Sequence, residues 1–393
     1  MKNWKRLLAL LLSGAMALSL FACNATPQAT NGDPSAAPSA EISGDPAASA
    51  SPEIVADLSQ PVLEFSAGVS PTDTLLTING EEVPADLMLY WLSYSCYYFM
   101  SQYGIYGMSM ADYQNQLLDD AVSICASEVL LRQRAAQLGC LPTDAQAEQA
   151  RAQMEGDSDT LTLFRESYGL TDQSIEYLFL ADAYYENMLA AVTHEPSEKE
   201  LMDYLSGKGM YRVKHILLKT VDDNRQPLPD DVIAQKKAQA EDFLSQLQKA
   251  EDMPALFDRL MNEHSEDGRD ESGALYAPDG YLASSGQMVP EFEEAGQALK
   301  PEELSGIVET DYGYHILLGL SLAPLTDEEK AQYQKEYRPD ALRDQAAQWQ
   351  EEAEIVRSDA LTGLDVADFY ARMNAYQLAL EEKNAPAESE AVG

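Results

Sequence analysis

The stretch Val213-Lys214-His215-Ile216-Leu217-Leu218-Lys219 decides how the second half of this chain is read, and its core recurs as His315-Ile316-Leu317-Leu318. The chain has four histidines, so half of them lie in one repeated tetrapeptide. Tyr211, Val213, His215 and Leu217 alternate with Lys214, Ile216 and Leu218. Both faces are mostly apolar, as in a strand covered on both sides. An imidazole in such a run needs hydrogen-bond partners, because an unsatisfied polar ring there costs free energy. Two rings in the same setting are candidates for each other's partner; the alternative is two unrelated core histidines, one per strand.

Outward from this strand, a polar loop from Asp222 to Pro229 leads to a helical pattern at about 230–249, and a second helix is expected from Pro254 to His264. Gly- and Pro-rich turns follow, then a short helix at 290–299 and a final strand through Tyr312–Leu320. The predicted order is β-α-α-β-α-β, a small α+β domain. Ahead of it, Leu75-Leu76-Thr77-Ile78 reads as a strand and Asn79-Gly80 as a turn. Pro84 opens a helix on which Leu87, Trp91, Tyr94 and Tyr98 recur at helical spacing. Helical patterns follow at about 110–138, 143–155, 158–167 and 171–193, with Thr143 and Thr171 as N-caps. Helix returns from about 326 to 382, with a break near Gly363.

The charge balance is very acidic, with 26 Lys+Arg against 66 Asp+Glu. No basic stripe exists to neutralise phosphates, which argues against nucleic-acid binding. The N-terminus reads as an address: Lys2, Lys5 and Arg6 precede an apolar run from Leu7 to Ala22, too short to span a bilayer. It ends in Leu20-Phe21-Ala22-Cys23, which resembles a bacterial lipobox and makes Cys23 the candidate lipidated residue; a plain secretory signal is the alternative. Residues 24–70 are rich in Ala, Pro, Ser, Gly and Asp and read as a flexible tether. Cys96, Cys125 and Cys140 have no metal or redox spacing, and read as free thiols, with one disulfide as the alternative. No HExxH, paired-Cys, P-loop or Gly-x-Ser-x-Gly pattern is present, so neither metal nor organic cofactor is expected. His194 and His264 read as structural.

Five motifs in order make residues 209–322 similar to the parvulin family of peptidyl-prolyl cis/trans isomerases. The strand around His215 resembles the family's opening signature. Phe257-Asp258-Arg259-Leu260 resembles its Phe-x-x-Leu/Ala helix, and His264-Ser265-Glu266-Asp267 its Ser-x-Asp/Cys turn. Gly286-Gln287-Met288-Val289-Pro290-Glu291-Phe292-Glu293 is similar to the Gly-x-Met-Val-x-x-Phe-Glu motif. Glu309-Thr310-Asp311-Tyr312-Gly313-Tyr314-His315-Ile316 is similar to the closing Thr-x-x-Gly-x-His-Ile motif. The resemblance implies that His215 and His315 pair at the floor of the site, with Asp267 as the acidic residue and Thr310 bonded into the histidine network. It further implies that Leu275, Met288 and Phe292 line a proline pocket. The chain departs from the family at Ser272-Gly273-Ala274-Leu275, where Gly-Gly-Asp-Leu is usual, so the support that the Asp implies for the active-site loop is lost at Ala274. Ala277-Pro278-Asp279-Gly280-Tyr281 is longer than in compact members. The extended loop after the first strand carries no basic cluster, so no preference for phosphorylated residues before proline is implied.

The helical flanks resemble extracytoplasmic foldases of the PrsA/SurA type. The expected layout is a signal peptide (1–22), a tether (23–70) and an N-terminal helical chaperone-like domain (71–207). A parvulin domain (208–322), a C-terminal helical segment packing with the N-terminal domain (323–385) and a disordered tail (386–393) follow. The fold class is α+β, with the small antiparallel-rich sheet of the parvulin domain inserted between helical segments. The implied function is prolyl isomerisation and folding of secreted proteins by a lipid-anchored protein outside the bacterial cell membrane. Its partners would be unfolded or partly folded secreted chains containing X–Pro bonds; a homodimer is left open. Tyr90, Trp91, Tyr94, Tyr97, Tyr98, Phe99, Tyr103 and Tyr106, extended by Met100, Met108 and Met110, read as core or as a client-binding cleft. Rival readings are a holdase with a silent parvulin domain, a solute-binding lipoprotein of a transporter, and a lipid-anchored structural protein.

Overall fold

A computed structural model describes residues 54–104 and 107–385. The expected signal peptide, Cys23, the tether up to residue 53, Tyr106 and the tail 386–393 lie outside the described residues. The chain divides into two compact units, one comprising residues up to His194 and from Arg338 onward, the other Glu195–Tyr337.

The first unit starts inside the segment expected to be tether. Helix α1 (Val62–Ala67) buries Val62 and Leu63 in the core and sets the Phe65 ring 5.8 Å from that of Tyr376. The average composition of 24–70 hides this local apolar run, so the tether expectation is corrected from residue 62 onward. Strands β1 (Thr74–Ile78) and β2 (Glu81–Pro84) form a hairpin in which Asn79 and Gly80 both take positive φ, 51° and 82°. An Asn-Gly pair suits that turn because both residues tolerate the left-handed region. Helix α2 (Ala85–Tyr103) follows, with Pro84 at its N-cap. After a short 3₁₀ turn at Met110–Tyr113 come α3 (Gln114–Leu138), α4 (Asp144–Gly156), α5 (Ser158–Thr162) and α6 (Asp172–Val192). Thr143 makes a capping box with Gln146, and Thr171 accepts the Ser174 N–H, so both expected caps are present.

The second unit opens with α7 (Glu198–Gly207), which the sequence reading did not resolve although Ser197 and Glu200 form a capping box. Strand β3 (Tyr211–Lys219) leads through α8 (Asp230–Lys249) and α9 (Met253–His264) to β4 (Tyr281–Ala283). Helix α10 (Pro290–Ala298) precedes β5 (Leu304–Thr310) and β6 (Gly313–Leu320). The four strands form one antiparallel sheet in the order β4-β3-β6-β5. The predicted order lacked β5. Its pattern is broken at Ser305-Gly306, where the register with β6 shifts between Leu304 and Ile307. The sheet is covered on both faces, as the mixed pattern around His215 implied. Ile216, Leu218, Ile316 and Leu318 pack beneath Phe243, Leu247, Phe257 and Leu260 of α8 and α9. On the other face Val213 and Leu317 pack with Phe292 of α10.

Helix α11 (Asp327–Glu352) begins in the second unit and continues in the first. The expected helical run to 382 is then interrupted by β7 (Ile355–Arg357), which pairs with β1 to give the order β2-β1-β7. Three residues carry too little alternation to announce a strand. The short α12 (Asp359–Thr362) and α13 (Val366–Asn384) complete this unit, separated at Gly363 as expected.

The aromatic run on α2 is divided: Tyr90, Trp91 and Phe99 are buried, Tyr94 and Tyr97 are half-buried, and Tyr98, Met100 and Tyr103 are exposed. Cys96 and Cys125 are buried free thiols, and Cys140 is a half-buried one near Met188. Deep in this core, Trp91 Nε1–H donates to Glu128 Oε2 at 2.9 Å. Burial raises the Glu128 carboxyl to about 8, against the opposing effect of that bond. The folded state therefore holds a proton that the unfolded chain releases near 4.5. The stability this proton supports is complete below pH 4.5 and is lost as pH rises towards 8. Glu128→Gln should remove that decline and gain on the order of 2–4 kcal/mol at pH 8. Urea unfolding followed by tryptophan fluorescence checks this, since Trp91 and Trp349 both belong to this unit.

Candidate active site

Register brings the two histidines together. His215 lies opposite Leu317 and Leu217 opposite His315 in the β3–β6 ladder. His215 and His315 are thus diagonal neighbours on one face, within reach of long side chains. Their Nδ1 atoms stand 3.1 Å apart and their rings are nearly parallel, at 11°. The pairing reading therefore displaces that of unrelated core histidines.

A loop delivers the carboxylate. Strand β4 occupies the outer edge of β3 only from Tyr211 to Val213. Further along, Leu217 N–H donates to Ser265 Oγ at 3.1 Å and Glu266 N–H to the Leu217 carbonyl at 2.8 Å. Lys219 N–H donates to the Glu266 carboxylate, which also pairs with Lys236. The segment Ser265-Glu266-Asp267 is so pinned beside the strand, with Asp267 Oδ2 3.0 Å from His215 Nε2. Tyr281, which no sequence motif marks, donates its hydroxyl to the same oxygen at 2.6 Å. Burial opposes ionisation of Asp267, but hydrogen bonds from His215, Tyr281 and the Gly268 N–H together hold the carboxyl well below its ordinary range.

At the other end, Thr310 Oγ1 is 2.8 Å from His315 Nε2 and accepts the Tyr312 N–H at 3.1 Å. The β5–β6 turn that sets Thr310 depends on Gly313 at φ 145°, where a Cβ would stand 2.2 Å from the Leu218 carbonyl oxygen. Burial, then the neighbouring His215, lowers His315 to about 3, against the attraction of Asp267. If each imidazole carries a single ring proton and Asp267 is ionised, one donor direction satisfies every contact. Tyr312 N–H donates to Thr310, the Thr310 hydroxyl to His315 Nε2, His315 Nδ1–H to His215 Nδ1, and His215 Nε2–H to Asp267.

Above this polar floor, the buried Phe292 ring meets both imidazoles edge-on, with centroids 5.1 Å from His215 and 5.4 Å from His315. Met288 packs in the same cluster. Leu275 is placed elsewhere: it is buried in the cluster that α8 and α9 form over the opposite sheet face, not grouped with Met288 and Phe292. The loop carrying Ala274 is braced in another way. Asp270 accepts from Ser272 and from the Ala274 N–H at 3.0 Å, and Arg269 donates to the carbonyls of Asn262, Ser265 and Gly273. His264 lies against Phe243 at 5.0 Å. No cluster suited to a metal ion occurs among the described residues.

The donor chain makes His315 a neutral Nδ1–H tautomer. Two-dimensional 1H–15N spectra should show that tautomer, with no titration of His315 between pH 5 and 8 given its lowering to about 3. A midpoint near the ordinary 6.5 would contradict the arrangement.

Residues 215–319 match the family model described as Rotamase, the PPIC-type PPIase domain. Foldase protein PrsA of Geobacillus kaustophilus is 35% identical over 135 residues, covering 34% of this chain and 38% of that protein. A parvulin-like PPIase of Rickettsia bellii is 30% identical over 146 residues, 37% of this chain and 44% of that one. Chaperone SurA of Nitrosococcus oceani is 32% identical over 124 residues, 30% and 26% of the two chains. The chain thus spans less than half the length of each of these relatives. Taken with the histidine pair, Asp267 and Thr310, these matches make residues 215–319 a PPIC-type parvulin peptidyl-prolyl isomerase domain.

Proposed function

We propose that this protein is an extracytoplasmic, lipid-anchored foldase that isomerises X–Pro bonds in secreted chains. The observation that carries the reading is the hydrogen-bonded line from Tyr312 through Thr310, His315 and His215 to Asp267, lying beneath Phe292. Rotation about a prolyl amide crosses a barrier of ~18–20 kcal/mol without breaking a covalent bond. The site must favour the twisted amide over the planar one. Phe292 and Met288 would hold the prolyl ring and exclude water, which favours the less polar twisted state. The imidazoles form a floor whose donors and acceptors already serve one another. They shape the pocket without attacking the carbonyl, and Asp267, engaged by two side-chain donors, acts as an anchor and not as a nucleophile.

The reading of a silent isomerase domain drew on Ala274. The bracing by Asp270 and Arg269 supports an ordered loop instead. A solute-binding lipoprotein would have two lobes of repeated βα units, whereas the first unit is largely helical. The anchor rests on the lipobox resemblance ending at Cys23, and the clients on the foldase resemblance.

A protease-free prolyl-peptide assay tests the chemistry. His215→Ala and Asp267→Ala should each lower kcat/KM on the order of ten-fold or more while the fold is retained. Met288→Ala should act mainly on KM. Equal, background-level rates for the intact chain and His215→Ala would remove the enzyme reading. Client capture is assigned to the exposed end of α2, where Tyr98 and Tyr103 are 52% and 38% exposed. Replacing both with serine should weaken suppression of aggregation without lowering the melting temperature; a matching loss of stability would return them to the core.

A further inference from the structure

We infer that Tyr281 is a positioning residue of the isomerase site, locking Asp267 as an acceptor and so setting the donor direction through both histidines. The inference rests on the isomerase reading above. Tyr281 lies opposite Val213 in the β3–β4 ladder, which turns it to the sheet face that carries His215. Its ring stands edge-on to the His215 imidazole, with centroids 5.5 Å apart and planes at 72°. Its hydroxyl and His215 Nε2 converge on one oxygen, Asp267 Oδ2, at 2.6 Å and 3.0 Å. Gly280 permits this approach: it takes φ 93°, and a Cβ there would stand 2.7 Å from the Val213 carbonyl oxygen. The residue is thus brought in by the turn Ala277–Tyr281, one of the places where this chain departs from compact parvulins.

Two donors on one carboxylate oxygen leave that oxygen no use for a proton. Suppose Asp267 Oδ2 gains one from solvent and points it at His215. It then becomes a donor to His215 Nε2, which must be bare. His215 Nδ1–H donates to His315 Nδ1, and His315 Nε2–H donates to Thr310. One added proton at Asp267 therefore reverses every bond up to Thr310, whose own hydroxyl hydrogen must find a new acceptor. The groups facing Asp267 are His215 on β3, Tyr281 on β4 and, beyond His215, His315 on β6. On its own loop, Glu266 is turned to Lys236 and the Lys219 N–H, and Arg269 to backbone carbonyls. Tyr281 is therefore the side-chain donor that can hold Asp267 ionised independently of the histidines.

Tyr281→Phe in the full chain separates hydroxyl from ring. The ring contact with His215 remains, so folding and melting temperature should be retained. With the hydroxyl gone, kcat/KM at pH 7 should fall roughly three- to ten-fold, and the acid limb of its pH profile should move up by about one unit. The carboxyl 13C resonance of Asp267 should show the same upward move. Wild-type kcat/KM with an unmoved acid limb would overturn the assignment. If the wild-type chain has no isomerase activity, the isomerase reading fails on its own. The Asp267 titration then still decides the role of Tyr281: an unmoved midpoint in Tyr281→Phe overturns it, and an upward shift sustains it.

Discussion

The register between β3 and β6 is the constraint on which the site depends. His215 faces Leu317 and His315 faces Leu217, so two rings from opposite ends of the domain meet on a diagonal. A slip of one residue would send one imidazole to the face that Phe243, Phe257 and Leu260 fill. That register is held by the apolar residues between the histidines. Ile216 and Ile316 lie directly opposite each other and point into the α8–α9 core. Packing on one face of the sheet thus sets the polar geometry of the other.

Charge is handled in keeping with this. A chain with so large an acidic excess could easily have filled its site with carboxylates, yet the buried polar line holds one, at its end, engaged by two side-chain donors. His315, deepest in the line, is kept neutral by burial. On the proposed isomerase reading, a floor of this kind would present dipoles to a bound amide without needing to gain or lose a proton during the turn of the bond.

The sequence made the isomerase domain legible because several of its parts answer to local rules. The strands around His215 and His315 are apolar on both faces, Phe292 lies in the first turn of a helix that Pro290 opens, and Thr143 and Thr171 sit where caps belong. What escaped was set by distance or brevity. β7 has three residues and finds its partner β1 far away in the chain. Phe65 and its neighbours disappear in the average of a polar segment. Tyr281 has no helical or strand period that marks it; the ladder with β3 gives it meaning. Leu275 shows the converse: the motif suggested a pocket, but its packing belongs to the other face.

The three-stranded sheet of the first unit draws on β1 and β2 near one end of the chain and β7 near the other. The whole second unit is contained in the interval between them. A chain emerging N-terminus first therefore completes the isomerase domain before β7 is available to close the sheet around β1. The contiguous unit draws its strand pairings from one continuous stretch of chain, while the discontinuous one must bridge a long sequence separation, a slower kind of closure. The order of synthesis is thus the reverse of what a reader of the N-terminus would expect: the unit inserted in the sequence is finished first, and the unit it interrupts last.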